Sequence, residues 1–106
     1  MVGSSIVRNL SAKSDIELLT KTREELDLFD KEKVSKFLRS ERPDYIFVAA
    51  AKVGGIVANN MMRADFIYQN LLIQNNLIGG AFEAGIADMC FLGSSCIYPR
   101  DFPQPI

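Results

Sequence analysis

At 106 residues the chain is long enough for one small domain, which would hide roughly two-thirds of the surface its unfolded form exposes. Hydrophobic residues make up 48% and charged residues 24%, which excludes a disordered segment, and a net charge of -1 supplies no overall field toward nucleic acid or an anionic membrane. There is no histidine, the commonest acid/base group and metal ligand, and the two cysteines, Cys90 and Cys96, form neither a disulfide framework nor a zinc knuckle, so no metal site is expected.

In chain order, Ser4 to Lys13 predicts a short helix with Ile6, Val7 and Leu10 on one stripe, entered from Gly3. Ile16 to Thr20 predicts a strand, followed by Thr22-Arg23 and a loop carrying Asp27-Leu28. Asp30 is placed to cap a helix over Lys31 to Arg39, with Val34, Phe37 and Leu38 at helical spacing and Pro43 ending the element. Tyr45 to Ala50 is a continuous apolar run, the mark of a strand covered on both faces. Ala51 to Asn60 reads as a small-residue loop. Ala64 to Glu83 predicts a long helix, with Ile67, Leu71, Leu77, Ile78, Ala81 and Phe82 on its apolar side and Gly85 beyond its end. Gly79-Gly80 weakens that helix by roughly 1 kcal/mol per residue relative to Ala, which points to close packing against a partner. Met89 to Gly93 predicts a last strand before a proline-punctuated tail. No apolar run approaches the roughly 20 residues needed to span a bilayer, and no signal-peptide pattern is present, so a cytoplasmic location is expected.

Helix, strand, helix, strand, helix, strand is the alternation of a Rossmann-type, doubly wound α/β fold with a parallel sheet. The chain enters it one strand late, and residues 1-106 are expected to be a partial NAD(P)-binding domain with no second domain. In the strand order 3-2-1-4, the missing first strand would lie between the Ile16 and Met89 strands. Strands left without that neighbour would expose aggregation-prone edges.

Ligands of such sheets sit beyond the carboxyl ends of the strands. Met1-Val2-Gly3 has the form of the end of a glycine-rich phosphate loop, although one glycine before a helix also serves a plain turn. Arg23 follows twenty residues on, where dinucleotide folds read the adenosine ribose. An arginine there can pair with a 2′-phosphate and favour NADP, or simply be a solvated surface residue beside Glu24 and Glu25. Asp27 and Leu28 would then lie near the adenine edge. Small residues at Ala49, Ala50 and Ala51, with Gly54-Gly55, either let a flat cofactor approach the backbone or make a tight loop. Asn59, Asn60 and Asn70 are polar groups near the same edge. Ser94 and Cys96 are two apart, so an extended segment turns both to one side. A hydroxyl there can donate to a carbonyl oxygen while a thiolate removes a proton from the adjoining carbon. A purely structural Ser-Ser-Cys turn is the alternative.

The stretches MVGS at Met1, TREEL at Thr22, AAAKVGGIVANN from Ala49 to Asn60, ADFIYQN at Ala64 and LGSSCIYP from Leu92 to Pro99 resemble the GDP-L-fucose synthases, extended short-chain dehydrogenase/reductases of the NAD-dependent epimerase/dehydratase family. The resemblance implies epimerisation of GDP-4-keto-6-deoxy-D-mannose at the two carbons flanking its ketone, then reduction of that ketone by NADPH. It also implies that Ser94 polarises the keto oxygen and that Cys96 is the epimerisation base. Met1, Val2 and Gly3 would close the pyrophosphate loop. Arg23, Glu24, Glu25, Leu26, Asp27 and Leu28 would meet the adenosine phosphate, and Leu92, Gly93, Ser94 and Ser95, with Ala50, would line the cofactor. A GDP-sugar is the implied substrate, and the helix around Ala64 to Glu83 the implied homodimer contact.

The chain also departs from that family. Tyr45, Tyr68 and Tyr98 are followed four positions later by Ala49, Leu72 and Phe102, so none opens a YxxxK pair, and the family's acid histidine is missing. Met1 coincides with an internal methionine of the family's glycine loop, which implies a chain that starts late and ends early. Little or no activity is expected of such a piece alone. GDP-mannose 3,5-epimerases share the CIYP segment and a cysteine base and are the nearest enzymatic rival, while a non-catalytic nucleotide-binding or dimerising module is the rival of another class.

Overall fold

Asp30 starts the first well-packed helix as the sequence predicts. In the computed structural model, which describes residues 1–94, 97–99 and 101–103, the Asp30 carboxylate accepts from the Lys33 backbone N–H at 3.1 Å, and that bond holds the carboxyl below its ordinary range. With α1 at Val2–Leu10, this helix is α2, Lys31–Glu41. Arg42 ends α2 in the left-handed region (φ 44°), donating its N–H to the Leu38 carbonyl, and Pro43 prevents any continuation.

The remaining elements are β1 at Tyr45–Val48, α3 at Ile56–Met61, α4 at Arg63–Ala84 and β2 at Asp88–Phe91. The two strands pair in parallel, with Tyr45 opposite Asp88 and Val48 opposite Phe91, and α3 and α4 form the crossover between them. Gly85 closes α4 at φ 74°, where a side chain would be strained. The core lies between α2, α4 and one face of the sheet: Val34, Leu38, Val48, Ile73, Leu77 and Ala81 are buried together, with Leu26, Leu28, Ile46 and Met89 packed against them.

Gly80 sets the spacing of the two helices. A Cβ there would stand 3.0 Å from Leu38 Cδ1 and 3.6 Å from Val34 Cγ1, whereas one on Gly79 would meet nothing within 4 Å. Close packing therefore accounts for Gly80 and not for its neighbour. The same contact chooses which side of α4 is buried. Phe66, Ile73, Asn76, Leu77, Gly80 and Ala81 face inward, while Ile67, Leu71, Ile78 and Phe82, expected on the apolar side, are exposed. A helix that is apolar on several sides does not reveal its buried stripe by periodicity alone.

Three further expectations are corrected. Residues 16–20 form no strand: among the described residues the sheet is two-stranded, and an extended segment without a ladder partner stays irregular. Part of the presumed loop at 51–60 is helical, as α3. The strand at 45–48, which the order 3-2-1-4 puts at the far edge, pairs directly with the last strand, so no gap separates them. The sheet is also covered on one face only. Tyr45 and Phe47 remain exposed on the other, their rings 4.6 Å apart. The radius of gyration, 15.7 Å, exceeds the roughly 13 Å usual for about 100 residues, in keeping with so small a core.

Candidate functional site

The parallel pairing brings both strand carboxyl ends to one edge. The ladder runs one bond past the strands, with the Leu92 N–H donating to the Val48 carbonyl at 3.3 Å. Ala49 and Ala50 therefore leave the sheet beside Leu92, Gly93 and Ser94. α1 reaches the same edge, because a Cβ on Gly3 would stand 3.3 Å from that of Ala49. The first turn of α1 has no side-chain cap and no acidic residue. Its N–H groups and the positive end of the helix are thus available to an anion. Met1, Val2, Ala50, Leu92, Gly93 and Ser94 are all exposed along this edge. The Ser94 carbonyl accepts from the Ile97 N–H at 3.3 Å. Ser95 and Cys96 lie outside the described residues.

The loop that follows β1 is held from two sides. Asn70, on α4, accepts from the Lys52 N–H at 2.7 Å and donates to the Lys52 carbonyl at 3.0 Å. Asn59 donates to the carbonyls of Gly54 and Gly55 at 2.9 and 3.1 Å. Gly54 has no room for a side chain, since a Cβ would meet the Phe66 ring at 2.8 Å. The Lys52 ammonium stands over that same ring, 5.1 Å from its centroid. Asn60 instead receives the Arg63 guanidinium on the exposed side of α3.

Residues 22–28 make a second group. Thr22 and Glu25 form a reciprocal turn: the Thr22 N–H donates to Glu25 Oε2 at 2.8 Å, and the Glu25 N–H to Thr22 Oγ1 at 3.3 Å. The first of these bonds, with the Thr22 hydroxyl and the nearby Lys21 ammonium, holds the Glu25 carboxyl below its ordinary range. Arg23 and Glu24 are left exposed at the tip of the turn. Asp27 bends the chain by accepting from the Phe29 N–H at 2.9 Å, and Leu26 and Leu28 anchor the loop in the core. Asn76, buried on α4, donates to the Leu28 carbonyl at 2.9 Å. Sequence reading passed over Asn76; an amide in line with Ile73, Leu77 and Gly80 on the buried stripe is the signal that marks it.

Among the described residues, concavities also lie away from this edge. A groove of about 400 Å³ runs between α3 and α4, lined by Asn59, Arg63, Phe66 and Asn70 among others. Another of about 440 Å³, including Arg42, Asp44, Gly85 and Asp88, sits at the amino ends of the strands.

The model of the NAD dependent epimerase/dehydratase family matches residues 1–106. The chain belongs to that family. Among family relatives, GDP-L-fucose synthase of Sinorhizobium fredii is 54% identical over 106 residues, covering 100% of this chain and 33% of the relative. GDP-L-fucose synthase of Escherichia coli is 53% identical with the same coverage. The chain thus spans about a third of the length of these curated relatives. Among solved structures, MlghC, a GDP-mannoheptose C4 reductase from Campylobacter jejuni with NADP bound, superposes with a TM-score of 0.88 at 41% identity, over 98% of this chain and 33% of that one. The Rossmann-type α/β fold expected from the alternation of elements is therefore the family's own. The two-stranded parallel sheet and its flanking helices are a section of it.

Proposed function

We propose that the chain is the cofactor-holding section of an NADPH-dependent epimerase/reductase that converts GDP-4-keto-6-deoxy-D-mannose to GDP-L-fucose. The supporting observation is the convergence of the uncapped α1 terminus, Ala50 and the Leu92–Ser94 segment on the carboxyl edge of the sheet. The fit to a dinucleotide is chemical. Backbone N–H groups of Val2 and Gly3 suit a pyrophosphate, small residues at Ala49 and Ala50 permit a flat ring, and the exposed Arg23 suits a 2′-phosphate. Glu24, Leu26, Asp27 and Leu28 border the adenosine, and Glu25 fixes the turn that carries Arg23. When bound, NADPH supplies the hydride for the ketone. The Ser94 hydroxyl donates to the keto oxygen as negative charge grows on it, and the Cys96 thiolate takes the proton from the neighbouring carbon. Ser95, which lies outside the described residues, is assigned with Leu92 and Gly93 to the cofactor by the family resemblance.

With no YxxxK pair and no histidine, the 106-residue chain by itself is expected to leave NADPH unoxidised in the presence of GDP-4-keto-6-deoxy-D-mannose. Spliced in place of the aligned residues of the Sinorhizobium fredii relative, it is expected to support NADPH oxidation by that substrate. A folded chimera that consumed no NADPH, or one that epimerised the sugar without net cofactor turnover, would refute the synthase assignment.

A second reading concerns assembly. Ile67, Tyr68, Leu71, Ile78 and Phe82 give α4 a large exposed apolar face, fitted to a second copy of the chain as a homodimer contact. Light scattering is expected to show a dimer that Ile67→Glu with Phe82→Glu converts to monomer. A monomer at high micromolar concentration before substitution would remove this reading.

A further inference from the structure

We infer that Asn76 is a positioning residue for the adenosine end of the cofactor, an inference that rests on assigning residues 23–28 to that end. The Asn76 side chain is 5% exposed, and its Nδ2 donates at 2.9 Å to the carbonyl of Leu28, a residue 48 positions away in sequence. Neighbouring positions on the same stripe, Ile73 and Leu77, are apolar and buried. A buried amide costs free energy unless it is hydrogen-bonded, so its use here lies in what it bonds. The partner is a loop carbonyl that no strand or helix ladder satisfies. The bond fixes the loop from within. Two local turns then set the rest: Asp27 takes the Phe29 N–H, and Thr22 and Glu25 close the turn that presents Arg23. The Leu28 carbonyl is thus the point at which the loop's backbone is tied by a side chain to α4, the helix whose Asn70 grips the loop after β1.

The test is a titration of the chain and of Asn76→Leu with two half-ligands: adenosine 2′,5′-bisphosphate for the adenosine end and reduced nicotinamide mononucleotide for the other. Folding of both proteins is checked by circular dichroism. The expected result is that Asn76→Leu weakens the bisphosphate about tenfold and leaves the mononucleotide unchanged, the scale of one buried hydrogen bond. Asn76→Ala, which keeps the helix and also lacks the donor, is expected to show the same split. Equal weakening of both half-ligands, no weakening of either, or loss of folding in both variants would make Asn76 a structural residue and overturn the inference while leaving the cofactor assignment standing. Failure of the unsubstituted chain to bind the bisphosphate would instead overturn the assignment of residues 23–28, and the inference with it.

Discussion

Replacing Gly80 by leucine is expected to destabilise the fold by roughly 3 kcal/mol, at the upper end of the usual cost of overpacking. Even the first carbon of the new side chain would stand 3.0 Å from Leu38 Cδ1, so the larger one must push α2 away from α4. Seven hydrophobic residues are buried among the described ones, so this contact is a large part of what holds the chain together. Against a total stability of about 5–15 kcal/mol for ordinary domains, the loss would lower the thermal midpoint by more than about 10 °C. Gly79→Ala is the built-in control. With no atom within 4 Å of the added carbon, the change gains roughly 1 kcal/mol of helix propensity and should raise the midpoint. Thermal melts followed by circular dichroism check both signs; a gain in both variants would mean that helix propensity and not the α2 contact governs this stretch, and a similar loss in both would mean that the α2 contact does not distinguish the two positions.

The second large effect concerns cofactor choice. Arg23 stands exposed at the tip of the Thr22–Glu25 turn, with nothing in the turn competing for its guanidinium by a bond to Glu25, whose carboxylate faces back to the Thr22 N–H. A charge-assisted bond to the 2′-phosphate is worth more than a neutral one, so Arg23→Ala is expected to weaken NADPH at least about tenfold and to leave NADH unchanged. The ratio of the two dissociation constants, measured by cofactor fluorescence, is the readout. Equal effects on both cofactors would assign Arg23 a general electrostatic role and remove the basis for preferring NADP.

What could be read from the residues alone was local. Asp30 as a cap, Pro43 and Gly85 as stops, and strands near 45–50 and 89–93 all announce themselves within a few positions, although the strands end two residues earlier than read, at 48 and 91, and the candidate site at the carboxyl edge follows from where they end. What depended on distant partners could not be read this way. Residues 16–20 have a strand's composition and no ladder to join. Tyr45 and Phe47 have a buried strand's composition and no covering layer. The side of α4 that is buried was decided by Leu38 and Val34 on another helix. The amide clamps of Asn70 and Asn76 join residues 18 and 48 positions apart, beyond the reach of any periodic pattern.

The most direct measurement is an NADPH titration of the isotope-labelled chain followed by backbone amide shifts. The expected footprint covers Val2 and Gly3, Ala50 and Leu92 to Ser94 at the carboxyl edge of the sheet, and Arg23 to Leu28 in the loop held by Asn76. Saturable shifts confined instead to Arg42, Asp44 and Gly85 to Asp88, at the amino ends of the strands, would contradict the proposed site. Millimolar cofactor that moved no amide would contradict cofactor binding by this chain.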